Sequence, residues 1–146
     1  MHTPFYNTFA NHGNERETVD MKASMEPLFQ RYGVNIVLSG HVHAYMRSRP
    51  IYRGQVMEDG RAPIYMIVGE GGRGHAKNYL NPDTPEPWVA VRDKSVYGFG
   101  LLNIMNATTA HWTWNMNAAN RSSSDMGEDE DALVFQDDVW FTNQFL

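Results

Sequence analysis

The chain is 146 residues long, 42% apolar and 20% charged, with a formal net charge of −5 and no cysteine. That length and composition suit one folded domain and exclude a disordered or low-complexity tail. The negative charge argues against a nucleic-acid partner met through a broad basic surface, and the missing thiols exclude disulfides, cysteine-ligated zinc and thiol catalysis.

Residues 1–16, with Pro4, Asn7, Asn11, Gly13 and Asn14, read as a loop and not as a packed element. Over residues 17–32, Met21, Met25, Leu28, Phe29 and Tyr32 recur at helical spacing and predict one apolar stripe. Pro27 lacks an N–H and predicts a kink or a new turn within that helix, and Gly33 predicts its end. Residues 34–39 and 64–68 are short, nearly continuous apolar runs, the pattern of strands buried on both faces. Proline-rich residues 81–88 predict loop. Residues 99–105 and 108–114 predict an antiparallel hairpin turning at Asn106-Ala107, with Trp112 and Trp114 on its core face. Residues 118–131 are small, polar and acidic, and a last strand is expected at about residues 132–141. No apolar run approaches the roughly 18 residues of a membrane span. The first residues also lack the basic and apolar regions of a signal peptide.

Chemistry points first to His41 and His43. Their i, i+2 spacing puts both imidazoles on one side of an extended backbone, just after a buried strand and Gly40. The pair reads either as metal ligands or as hydrogen-bonded loop histidines, and its place at a strand's carboxyl end favours ligands. His75, in a glycine loop, is expected to face solvent, and His111 to lie on the polar face of its strand. The acids Asp125, Glu128, Asp129, Glu130 and Asp131 lack the spacing of a calcium loop and read as a solvated run. Residues 69–74 are glycine-rich but have no Lys-Ser/Thr, so they are not a nucleotide loop. Asn106-Ala107-Thr108 and Asn120-Arg121-Ser122 fit the N-glycosylation pattern, in predicted turns.

Several ordered motifs together resemble the purple acid phosphatases, within the calcineurin-like metallophosphoesterases. His2-Thr3-Pro4-Phe5-Tyr6-Asn7 is similar to the family's His-x-Pro-x-Tyr segment, and Asn11-His12-Gly13-Asn14-Glu15 to the stretch that follows it. Leu38-Ser39-Gly40-His41-Val42-His43-Ala44-Tyr45 is close to the family's strand and Gly-His-x-His-x-Tyr loop. Tyr97-Gly98-Phe99-Gly100, Ala110-His111-Trp112 and Val139-Trp140-Phe141 agree as well. The resemblance implies a metallophosphoesterase-type α/β fold, an αββα sandwich of two mixed sheets flanked by helices. Residues 1–146 would form its C-terminal half.

Residue by residue, it implies that His2 and His41 hold a divalent ion (Zn, Mn or Fe) and that His43 holds Fe(III). Such a dinuclear centre would clamp a phosphoryl group and supply a hydroxide nucleophile. His12 would be the acid that protonates the leaving group, with Glu15 orienting it. Asn11 stands where many plant members carry a second substrate-contacting histidine. Asn106 falls on a sequon shared by plant relatives, Asn120 being the second glycosylation candidate. Two departures are evident. Met46 replaces a glutamate usual after the tyrosine, and the dipeptide Gly-Asp, which opens two of the family's upstream ligand motifs, occurs nowhere in the chain.

The expectation is therefore an acid phosphatase acting on phosphate monoesters as part of a longer parent chain. The aspartate, tyrosine and asparagine ligands would lie upstream of these residues, and the 146 residues alone would be inactive. The alternative expectation is a truncated, non-catalytic remnant or binding module. A homodimer and a secreted or vacuolar parent protein are implied by the resemblance, while the chain itself shows no signal peptide.

Overall fold

The computed structural model describes residues 1–13, 15–72, 74–76, 78–95, 97–117 and 135–145, and all structural statements concern these. One helix, α1 (Arg16–Arg31), precedes nine strands: β1 (Ile36–Ser39), β2 (Tyr45–Ser48), β3 (Ile51–Tyr52), β4 (Gln55–Val56), β5 (Ile64–Val68), β6 (Val89–Asp93), β7 (Gly98–Ile104), β8 (Thr109–Met116) and β9 (Phe135–Thr142).

Four strands form a mixed sheet in the order β1-β5-β2-β6, with β1 and β5 parallel and the other pairs antiparallel. A second sheet, β7-β8-β9, is antiparallel throughout, and β3-β4 is a two-stranded ribbon. The mixed sheet is buried on both faces because its side chains alternate between two cores. On one side Val37, Met46, Tyr65 and Ile67 meet Phe5, Tyr6 and Phe9, with Met21 and Phe29 of α1 packed against them. On the other side Tyr45 and Met66 meet Trp112, Trp114 and Phe141 of the antiparallel sheet. The layers thus run helix, mixed sheet, antiparallel sheet: three of the four layers of the expected sandwich, with one mixed sheet instead of two among the described residues.

Several sequence expectations need correction. Residues 1–13 form no helix or strand, yet Phe5, Tyr6, Thr8 and Phe9 are buried; aromatic side chains held by a loop fill the core under α1. α1 runs through Pro27 as a single helix. Only part of its apolar stripe marks the buried face: Met21 and Phe29 meet the core, but Met25, Leu28 and Tyr32 are exposed, whereas Thr18 and Glu26 are buried. The reason is a polar anchor. Glu26 accepts hydrogen bonds from the Tyr6 hydroxyl and from the Arg53 amide (3.1 Å), and the Tyr6 oxygen accepts from the Gly54 amide (3.0 Å). Burial, with the Glu26 carboxylate beside it, drives the Tyr6 hydroxyl far above its ordinary pKa. Gly33 does end the helix, at φ +64°, a conformation glycine adopts at no steric cost.

The strand at residues 64–68 has the expected bounds, and the hairpin matches to within two residues. β7 can approach its partner because Gly98 and Gly100 leave room for the indoles of Trp114 and Trp112, which a Cβ would strike at 2.9 Å and 1.9 Å. The expected last strand is observed from Phe135 to Thr142. The acidic run from Asp125 to Asp131 and the sequon at Asn120 lie outside the described residues.

Candidate metal and phosphate site

The site sits where β1 ends. Met1 and His2 run along this strand: the terminal ammonium donates to the Leu38 carbonyl (2.8 Å), and the Gly40 amide donates to the His2 carbonyl (3.0 Å). Beyond Gly40 the chain makes two tight steps, Val42 N–H to Gly40 C=O (2.7 Å) and Ala44 N–H to Val42 C=O (2.9 Å). The end of β5 fixes this loop from below. Gly69 donates to Ala44 C=O (3.1 Å), and Ala76 donates to His43 C=O (2.7 Å).

Four of the candidate residues converge there. His2 Nε2 lies 2.9 Å from His41 Nδ1, and His41 Nε2 lies 3.1 Å from Glu15 Oε2. Glu15 Oε1 in turn lies 2.5 Å from His12 Nδ1. The His12 and His41 rings are 4.0 Å apart, and the His2 ring meets His41 edge-on at 4.6 Å. His12 and His41 adopt left-handed backbone angles, φ 58° and 64°. That conformation costs a non-glycine residue about 1–2 kcal/mol and is often found at functional positions. His12, hydrogen-bonded to Glu15 and followed by His41, holds the Glu15 carboxyl below its usual range.

The remaining candidates are placed differently. His43 is half-buried and its carbonyl is tied to residue 76, but its ring is not part of the cluster. The Asn11 carbonyl accepts from Asn7 Nδ2 (2.7 Å), closing the turn that carries His12. Met46 is wholly buried in the helix-side core. Asn106 is exposed at the β7–β8 turn, where its Oδ1 accepts from the Thr108 amide (2.8 Å) and hydroxyl (2.9 Å).

The chain has relatives among known proteins, and its fold has a solved counterpart. A family profile described as "Iron/zinc purple acid phosphatase-like protein C" matches residues 62–126. Probable purple acid phosphatase 20 of Arabidopsis thaliana is 36% identical over 98% of this chain. The chain is related to the purple acid phosphatases. Purple acid phosphatase 18 of the same plant is 37% identical over 97% of the chain, and its Fe(3+)-Zn(2+) purple acid phosphatase 12 is 34% identical over 99%. The chain spans 30%, 29% and 30% of these three relatives' own lengths. A purple acid phosphatase from yellow lupin (Lupinus luteus) seeds shares the fold, with a TM-score of 0.68 at 22% identity over 97% of this chain and 24% of that one.

The donor set can be compared with the metals in such a relative's name. Imidazole and carboxylate together suit one divalent first-row ion. Among the described residues only one group of metal-capable side chains gathers, so they do not by themselves make up a two-metal site.

A second polar cluster adjoins the purple acid phosphatase-like loop and was not legible in the sequence. Glu70, which follows β5 and Gly69, is fully buried. Its oxygens lie 3.2 and 3.1 Å from His75 Nδ1. His75 is exposed, as its glycine-rich setting suggests, and one face of its ring stacks on Tyr97 with ring centres 4.2 Å apart. Burial pushes the Glu70 carboxyl above its ordinary range, against the opposing pull of His75. The native state therefore binds more protons than the unfolded chain between the ordinary and the raised pKa. Stability from this group falls as pH rises through that window. Glu70→Gln keeps the shape and removes the titration. Through that window its stability is expected to improve relative to wild type. Urea midpoints of both proteins across that range check this, and parallel curves would contradict it.

Proposed function

We propose that this chain carries the histidine side of the metal centre of an acid phosphatase that hydrolyses phosphate monoesters. The observation that supports this most is the convergence of His2, His12, Glu15 and His41 beside the His41–His43 loop. The segments that bring them together are those that resemble the purple acid phosphatases. In this reading His2 and His41 hold a divalent ion and His43 holds Fe(III), while oxygen donors from outside these 146 residues complete both sites. The two bound metal ions would neutralise phosphate oxygens and lower the pKa of water there.

His12 lies at the open edge of the cluster and donates the proton that the leaving alkoxide requires. Glu15, in contact with His12 Nδ1, fixes the ring's orientation. Asn11 closes the turn beneath it. Asn106, exposed and in a sequon, carries a glycan in this reading, and the protein is secreted or vacuolar.

The test is hydrolysis of p-nitrophenyl phosphate at acidic pH by the longest polypeptide that carries these residues, beside the 146-residue chain. Turnover by the former and none by the latter is expected. No turnover by either, with metals supplied, would favour the reading as a non-catalytic binding module.

A further inference from the structure

The cluster at the end of β1 contains a donor arrangement different from the one just proposed, sharing only His41 as a ligand. His12, Glu15 and His41 each offer one ligand atom, and these atoms all lie within 4.8 Å of one another. Tetrahedral zinc with roughly 2.0–2.1 Å bonds to nitrogen and oxygen places its donors about 3.3 Å apart. His12 Nδ1 lies 2.5 Å from Glu15 Oε1 and His41 Nε2 lies 3.1 Å from Glu15 Oε2, so each ring faces its own carboxylate oxygen, and rotation of these side chains opens the first pair to that spacing around one ion.

Three further observations favour these donors. Glu15 occupies the N-cap position of α1, yet its side chain makes no capping bond and turns to the two histidines instead. His12 and His41 both hold left-handed backbone angles, and their rings lie side by side. His41 Nε2 faces Glu15 while its Nδ1 faces His2 Nε2 at 2.9 Å. A proton on His41 Nδ1, donated to His2, leaves the Nε2 lone pair for a metal. Outer hydrogen-bond partners set the tautomer of ligating histidines in this manner. All three side chains are partly exposed, which leaves an entry path and room for water as a fourth ligand.

We propose that this chain by itself binds one divalent transition-metal ion through His12, Glu15 and His41, with His2 as the outer partner of His41. The site belongs to the two-histidine, one-carboxylate class with an open position, suited to Zn(II) or Co(II). It needs none of the oxygen donors that the phosphatase reading places outside these residues.

The experiment is calorimetric titration of the metal-stripped 146-residue chain with Zn(II), paired with Co(II) titration read by visible absorption, which reports coordination geometry. Circular dichroism monitors the fold of each variant. One ion per chain is expected. Glu15→Gln and His12→Asn should each weaken binding at least about tenfold, and His2→Ala by about 10–100-fold as an outer partner. No binding of either ion at millimolar concentration would overturn the proposal. So would binding that survives Glu15→Gln and His12→Asn but is lost in His43→Ala, since the ion would then use the donors of the phosphatase reading. Phosphatase turnover is a separate readout, so failure of either idea leaves the other standing.

Discussion

Replacing Asp137 with alanine is expected to lower the unfolding free energy by about 3–5 kcal/mol. Asp137 lies on β9, is 5% exposed, and joins the two sheets. Its Oδ2 accepts from the Tyr45 hydroxyl (2.6 Å) and from Arg47 Nε (2.7 Å), while Oδ1 accepts from Arg47 Nη2 (2.9 Å). The Tyr45 oxygen also accepts from Trp112 Nε1 (2.8 Å), and its ring stacks on Trp114 at 4.3 Å. Burial, reinforced by Asp137, drives the Tyr45 hydroxyl far above its ordinary pKa, so it remains a donor at any pH the protein meets.

Truncating Asp137 strands the Arg47 guanidinium, whose side chain is only 14% exposed, without its counter-charge. The loss of one partner of a buried pair is costly for that reason, even where the intact pair adds little. Asp137→Asn keeps a hydrogen-bond acceptor and should cost less. Arg49–Glu58 provides an internal contrast: Arg49 Nη2 donates to both Glu58 oxygens at 3.0 and 2.8 Å, but the pair is exposed. Its loss should cost no more than about 1 kcal/mol. Urea unfolding followed by circular dichroism measures all three. An Asp137→Ala cost as small as that of the exposed pair would contradict this account of how the sheets are joined.

Gly69→Ala is expected to destabilise the chain by about 3 kcal/mol and to disturb the histidine loop directly. A Cβ on Gly69 would stand 1.9 Å from the Val42 carbonyl oxygen and 2.8 Å from its carbon. Both obstacles are backbone, in the loop between His41 and His43, so no side-chain rotation relieves them. The loop must move or β5 must shift. The metal affinity of the cluster should fall along with stability. Gly71 lies two residues on and faces open space, so Gly71→Ala should stay within about 0.5 kcal/mol of wild type. Thermal unfolding and Zn(II) titration of the two variants separate the cases. Equal behaviour would mean that the loop is not held by this close approach.

The legible parts of the fold were those with a local signature. β5 is a five-residue apolar run and has the bounds its sequence predicts; α1 ends at a glycine with positive φ. β2 and β6 carry no such signature. Tyr45–Ser48 contains Arg47, and Val89–Asp93 follows a proline-rich loop and ends in Arg92 and Asp93. Their strand character comes from pairing, with β2 held between β5 and β6. Likewise the polar, turn-rich start of the chain gives no local hint that Phe5, Tyr6 and Phe9 fill a core, because that burial depends on α1 and β5 covering them.

The site divides in the same way. His41 could be singled out with His43 by spacing, and His2, His12 and Glu15 because their motifs resemble a known family. The contact of Glu15 with His41 spans 26 positions and belongs to no motif. Asp137 meets Tyr45 across 92 positions, and Glu70 is wholly buried although it opens a glycine-rich stretch. These groups gain their chemistry from neighbours distant in sequence, which spacing alone does not reveal.

The His41 loop is proposed here as the metal-holding wall of a phosphatase site. The most direct measurement of that role is kcat/KM for p-nitrophenyl phosphate at acidic pH, using the longest polypeptide that carries these residues, wild type beside His41→Ala. His111→Ala serves as a surface control, since His111 pairs with Asp138 on the far sheet. A loss of at least about a hundredfold, the upper range for disturbing even an outer partner of a metal ligand, is expected for His41→Ala, with little change for the control. Unchanged turnover in His41→Ala would contradict that role.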